Sequence, residues 1–172
     1  MKKGEIYEGV IEKVDFPNKG YVFVEDQKVL IKNGLPGQKV RFMIQKKRSG
    51  RAQGRILEVL EKSPLETREP VCSNFPACGG CMYQTMSYEN QLHMKETQIR
   101  ELLEAALIQG GQVDENGKAD FEWEGIHGSP IEFGYRNKME FSFGDEVKDG
   151  PLSLGLHKKG STYDILNTDD CK

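Results

Sequence analysis

The sequence predicts a mainly β protein with one long helix: a small antiparallel, OB-like β-barrel followed by an α+β domain organised around a cysteine loop. Three observations lead there. Residues 1–63 hold five short β-type segments separated by turn residues, and a sheet that small must close on itself or expose both edges. Residues 87–109 carry an apolar stripe at helical spacing. Charge divides beside Pro64: residues 1–63 contain 14 Lys or Arg against 8 Asp or Glu, a net of +6, and residues 64–172 contain 10 against 19, a net of −9. The net charge of −3 over 172 residues averages two unlike parts, and a domain boundary is expected between residues 63 and 64.

In chain order, EIYEGVIEKV (5–14) sets Ile6, Val10 and Val14 among polar neighbours, and GYVFV (20–24) and KVLI (28–31) are β-branched and aromatic. Asn33-Gly34 and Pro36-Gly37 supply turns. KVRFMIQ (39–45) alternates with the period of a half-buried strand, and GRILEVL (54–60) is the fifth segment. Ser87 is a suitable N-cap for a helix whose stripe is Leu92, Ile99, Leu102, Leu103, Ala106 and Leu107, stopped by Gly110-Gly111. Core packing is the reading preferred for that stripe. A polar loop at 112–120 precedes strands expected at 121–126 (FEWEGI), 135–143 (YRNKMEFSF) and 152–158 (LSLGLHK), then TYDIL.

Chemistry concentrates in two places. Between the last two barrel strands, QKKRSGRAQGR packs Lys46, Lys47, Arg48, Arg51 and Arg55 around small residues. On a hairpin tip these form one positive ridge able to neutralise phosphates and release their counterions. Arg136 and Lys138 share one face of their expected strand and are a second candidate phosphate contact.

The other place is VCSNFPACGGC, where Cys72, Cys78 and Cys81 follow a C-x5-C-x2-C spacing; Cys171 is the remaining cysteine. Such a triplet plus one remote thiolate suits an iron–sulfur centre, while zinc also accepts four thiolates. Both metals stay open on spacing alone. Cys171 stands one residue from the end, which leads to the expectation that the natural chain continues. His93, His127 and His157 have no metal partner in sequence and read as structural. Four cysteines are too few for a disulfide scaffold, so a reducing, cytoplasmic setting is expected. No run approaches the roughly 18 apolar residues of a membrane span, and the start lacks the apolar core of a secretory signal. No G-x-G-x-x-G, P-loop, H-E-x-x-H or nucleophile elbow is present, so no catalytic residue is assigned.

A basic small barrel followed by CSNFPACGGCMYQTMSYENQLHMK, FGYRNKMEFSFG and LGLHKKGSTYDILNTDDC resembles the N-terminal part of the RNA uracil-5-methyltransferases, the RumA/RlmD-like and TrmA-like enzymes. The most specific parts are CGGC with Gln84, Tyr88, Gln91 and Lys95 after it, and YRNK. The resemblance implies that residues 1–63 are a TRAM domain, an RNA-binding barrel. It implies that Cys72, Cys78, Cys81 and Cys171 hold a four-iron four-sulfur (4Fe-4S) cluster, expected to be structural, with residues 64–172 the front part of the central domain. It implies a catalytic domain in cis that binds S-adenosylmethionine and supplies a cysteine attacking C6 of the target uracil. That domain is absent from these 172 residues, so the chain alone is expected to bind RNA, rRNA ahead of tRNA, as a monomer and without methylating it. The helix stripe is then expected to be partly exposed. The runner-up is a non-enzymatic RNA-binding protein with a four-cysteine zinc site. A radical methylthiotransferase ranks low, since C-x5-C-x2-C departs from the C-x3-C-x2-C expected there.

Overall fold

The computed structural model describes residues 1–168 and 171. They form two compact units, each built from two stretches of chain: Met1–Thr67 with Glu89–His127, and Arg68–Tyr88 with Gly128–Lys172. Residues of the helix fall in the same unit as the first stretch.

Six strands make the barrel sheet: β1 (Ile6–Val10), β2 (Lys13–Asp15), β3 (Lys19–Val24), β4 (Gln27–Lys32), β5 (Lys39–Arg48) and β6 (Arg51–Glu61), in the order β1-β5-β6-β4-β3-β2. The single segment expected at 5–14 is two strands because the chain changes partner inside it. Ile11 N–H donates to the Gln38 carbonyl at 2.9 Å, and Glu12 N–H to the Tyr21 carbonyl at 3.0 Å. Pairing is not purely antiparallel: β4 and β6 run parallel through Val29–Ala52, Leu30–Gln53 and Ile31–Gly54. The parallel pair arises because β6 lies between β4 and β5, so the β5–β6 hairpin brings the chain back alongside β4.

Alternation places Ile11, Val14, Val22, Val29, Ile31, Val40, Phe42, Ile44 and Ala52 in one buried cluster. Burying a side chain such as Phe42, which is 0% exposed, is worth about 1.5–3 kcal/mol. Gly54 sits where a Cβ would come within 2.7 Å of Phe42 Cδ2 and 2.8 Å of Ile31 Cδ1, so the core leaves no room there for a side chain. The β3–β4 and β5–β6 hairpins both turn through two residues of positive φ, Glu25-Asp26 (47° and 62°) and Ser49-Gly50 (49° and 72°). That is the turn geometry whose twist matches paired strands.

Helix α1 (Tyr88–Gln109) ends as expected. Gly111 takes φ 75°, its N–H donates to the Ile108 carbonyl, and Gln112 N–H donates to that of Leu107, a Schellman arrangement. Within the first unit Met94 and Gln98 are its buried residues; Gln98 Nε2 donates to the Val14 carbonyl at 2.7 Å, and Lys13 pairs with Glu101 at 2.6 Å. The preferred core reading of the stripe is therefore corrected for Leu102 and Leu103, which are 48% and 42% exposed, and for Ala106, which is exposed as well.

In the second unit, β7 (Ser142–Asp145), β8 (Leu152–His157) and β9 (Ile165–Asn167) form an antiparallel sheet in that order. The strand expected at 135–143 is paired only from Ser142 onward. Residues 121–126 are not a strand either: Trp123 Nε1 donates to Glu96 of α1, and Arg100 lies over the Trp123 ring at 5.8 Å. Side-chain anchoring replaces the expected ladder. Among the described residues the chain is thus mainly β with one helix, as the sequence predicts, with a six-stranded and a three-stranded sheet. Among the described residues no helix is long and apolar enough to cross a membrane.

Candidate nucleic-acid interface and cysteine site

The β5–β6 hairpin decides where the basic cluster points. The register pairs Arg48 with Arg51, Lys47 with Ala52, Lys46 with Gln53 and Met43 with Arg55, with an irregularity between Ile44 and Lys46. Paired residues share a face and successive residues alternate. Ala52 and Gly54 are buried, so Lys46, Arg48, Arg51 and Arg55 lie on the outer face. Lys47 lies on the other face, where its Nζ donates to the Met1 carbonyl at 3.2 Å. The ridge expected from sequence is therefore four cations on one side and one on the reverse.

Its electrostatics change along the ribbon. Toward the far end, Arg41 pairs with Glu8 and Glu58, and Lys39 with Glu61. Among the described residues, Lys46, Arg48, Arg51 and Arg55 have no such acidic partner. Two arginines directly opposite each other repel, and a polyanion would relieve that repulsion.

Arg136 and Lys138 lie outside any strand. Lys138 pairs with Glu140 at 2.8 Å, and Arg136 stacks over Tyr135 at 5.9 Å. The shared strand face expected for them is not formed, because residues 135–141 are unpaired.

All four cysteines are free thiols. The loop carrying three of them is stitched to the end of β8: Cys78 and Lys158 form a β-bridge, Gly79 N–H donates to the His157 carbonyl at 2.9 Å, and Lys159 N–H to that of Ala77 at 2.7 Å. Two glycines permit this approach. A Cβ on Gly79 would lie 2.9 Å from the His157 oxygen, and one on Gly80 would lie 2.9 Å from Leu156 Cδ1. Asn74 Nδ2 donates to the Asn167 carbonyl at 3.0 Å, tying the loop to the strand before Cys171. Gln84, buried, accepts from Cys72 N–H through Oε1 at 3.2 Å and from Arg68 Nε through its carbonyl at 2.9 Å.

The thiols also share an electrostatic neighbourhood. Burial pushes the Cys171 thiol up, and charge on Cys81, Cys72 and Cys78 pushes the same way, against Arg136. Lys159, which sequence reasoning passed over, has its ammonium pushed down by burial, opposed by Cys78 and Cys81. Gly80 N–H donates to Cys78 Sγ at 3.4 Å, the kind of bond that tunes a ligating sulfur. Among the described residues, no three His, Cys, Asp or Glu side chains are gathered tightly enough to hold a metal ion. Four thiolates are a donor set whose chemistry fits a thiolate-bound iron–sulfur or zinc group. His93 and His127 are exposed, and His157 Nε2 lies 3.4 Å from Ser142 Oγ.

No protein-family model matches the chain. It is 44% identical over 171 residues to an uncharacterized RNA methyltransferase of Caldanaerobacter subterraneus subsp. tengcongensis, covering 99% of this chain and 35% of that protein. It is equally 44% identical over 172 residues to an uncharacterized RNA methyltransferase of Clostridium tetani, covering 100% and 35%. The chain thus spans about a third of the length of the curated relatives it matches. Among solved structures, it is similar to a tRNA (uracil-54, C5)-methyltransferase of Pyrococcus abyssi in complex with S-adenosyl-L-homocysteine. The TM-score is 0.55 at 21% identity, over 95% of this chain and 32% of that one, a likeness of fold. The resemblance drawn from the residues is borne out: the relatives are RNA methyltransferases, and the chain corresponds to part of each.

Proposed function

We propose, from a chain matched along its whole length by RNA methyltransferases, that residues 1–172 are the RNA-recognition part of an S-adenosylmethionine-dependent RNA (uracil-5-)-methyltransferase acting on rRNA. The observation that carries the reading is the uncompensated outer face of the β5–β6 hairpin. Among the described residues Lys46, Arg48, Arg51 and Arg55 have no ion-pair partner there, although the same ribbon neutralises Arg41 and Lys39. Phosphates would supply the missing counter-charge and fix the position of the RNA without reading its bases. The uracil-5 assignment is supported by the CGGC and YRNK segments and by the fold shared with the Pyrococcus enzyme. Methyl transfer itself would be carried by parts of the whole protein outside these residues, in the cytoplasm.

Cys72, Cys78, Cys81 and Cys171 would hold a four-iron four-sulfur cluster. When bound, the cluster supplies iron–thiolate links between the 72–81 loop and Cys171, a structural staple. The chain's own part is to present the thiols: Gly79 and Gly80 admit the loop to β8, and Gln84 Oε1 holds the Cys72 N–H.

Double reversal Arg48→Glu with Arg51→Glu is expected to weaken RNA binding at least tenfold and to flatten its salt dependence. Unchanged affinity and slope would reject the reading. Protein isolated without oxygen is expected to contain about four iron and four sulfide per chain. Stoichiometric zinc in colourless protein would instead support the zinc-binding alternative.

A further inference from the structure

The outer face of the barrel extends beyond the basic hairpin. On β3 it presents Lys19, Tyr21 and Phe23, since Gly20 and Val22 point into the core. On β4 it presents Lys28, Leu30 and Lys32, between the buried Val29 and Ile31. The hairpin register sets Phe23 opposite Lys28, Tyr21 opposite Leu30 and Lys19 opposite Lys32. The parallel register sets Leu30 beside Gln53, which brings Lys28 next to Arg51 and Lys32 next to Arg55. The strands β3, β4, β6 and β5 therefore carry one continuous face with two aromatic rings among cations; Lys19 stands opposite Asp15, and among the described residues Lys28 and Lys32 have no acidic partner.

The two rings are not equivalent. Lys28 Nζ sits over the Tyr21 ring at 3.5 Å, and a hydrogen bond to Asp15 engages the Tyr21 hydroxyl. Phe23 is 48% exposed, and among the described residues no ring or cation stacks on it. A large apolar ring left open beside uncompensated ammonium groups suits a partner with a flat apolar surface and an adjoining negative charge. A nucleobase with its phosphate has both. A duplex keeps its bases stacked and would offer only phosphates to this face.

We propose that the β3–β4 face is a stacking platform for single-stranded RNA, with a base on Phe23 and the backbone running over Lys28 toward Arg51 and Arg48. This rests on the reading of the chain as an RNA-recognition module and specifies its substrate as an unpaired segment. Lys28 is held in place by the Tyr21 ring, and Lys19 and Lys32 extend the track toward Arg55.

The test is fluorescence anisotropy with the 172-residue chain and a labelled single-stranded RNA of about twelve nucleotides, free or annealed to its complement. Phe23→Ala is expected to weaken single-strand binding about 5- to 100-fold with its salt slope unchanged, because stacking releases no counterions. Duplex binding should not change, and Phe23→Tyr should retain wild-type affinity. Lys28→Gln is expected to weaken binding and reduce the salt slope by about 0.7. Circular dichroism melts of each variant check that the fold is kept, as the half-exposed position of Phe23 leads one to expect. Wild-type affinity for the single strand in Phe23→Ala would overturn the platform; the broader reading would stand if Arg48→Glu with Arg51→Glu still weakened binding. Equal loss for strand and duplex would also overturn it, by showing a general effect on the barrel. No binding of either RNA by the wild-type chain would overturn both.

Discussion

Tyr7 donates its phenolic hydrogen to Glu5 Oε2 at 2.6 Å, and the bond moves both groups. The bond from Tyr7 holds the Glu5 carboxyl below its ordinary value of 4.5, and the bond to Glu5 pushes the Tyr7 phenol from 10.0 up to about 12. The raised phenol contributes stability that is complete below pH 10 and lost as pH climbs toward about 12. The lowered carboxyl contributes above its ordinary value and loses that contribution as pH falls through its depressed one. Tyr7→Phe should therefore remove the latest-titrating tyrosine from an ultraviolet titration and flatten the alkaline limb of the melting temperature. A Tyr7 titrating near its ordinary value would contradict the bond. At the core, Gly54→Ala forces a methyl against Phe42 and Ile31; a loss of about 1–3 kcal/mol in urea unfolding is expected. On the surface, alternation distinguishes neighbours in sequence. Arg48→Ala should reduce the salt slope of RNA binding by about 0.7, and Lys47→Ala, on the reverse face, should leave it unchanged.

The hairpins show how strand pattern and turn chemistry cooperate, and where they do not. The β3–β4 turn asks Glu25 and Asp26 for φ of 47° and 62°, a conformation that costs an ordinary L-residue about 1–2 kcal/mol. Replacing them with Asn-Gly should raise stability by about 1 kcal/mol in urea unfolding and remove two acids next to the basic face. A stability loss would show that the native side chains make contacts worth more than the relieved strain. Elements whose burial follows their own pattern were legible in the sequence: β3 to β6, α1 with its Gly110-Gly111 stop, and β8. Elements that need a partner were not. FEWEGI looks like a strand by composition, yet Trp123 is held by Glu96 and Arg100 on the helix. YRNKMEFSF alternates well, but pairing reaches only its last two residues. The parallel β4–β6 contact is likewise set by topology, and it was this contact that hid the Lys28–Arg51 neighbourhood. The basic cluster itself was visible as a run, whereas the side each cation faces depended on the irregularity between Ile44 and Lys46.

At the scale of the molecule, two units carry two kinds of chemistry. The first has an apolar core of its own under the basic face, and the second organises its cysteine loop against β8 and β9. If the cysteines hold the proposed cluster, Cys81→Ser or removal of the cluster should accelerate amide hydrogen exchange in the 68–88 and 142–168 segments and leave the barrel amides of β3 to β6 protected. Uniform acceleration would show that the metal supports both units. The sequence made the thiols conspicuous, and the fold adds Gln84, Lys159 and Arg136 around them, residues whose part emerges only when distant segments meet. The central claim, that the outer barrel face recognises RNA through its phosphates, is tested most directly by the salt dependence of binding. Plotting log K against log salt for the 172-residue chain and a single-stranded RNA should give a slope of about −3 to −5, for four to seven released counterions. The Arg48→Glu, Arg51→Glu variant should be clearly flatter. A slope near zero, or the same slope in both proteins, would contradict the account.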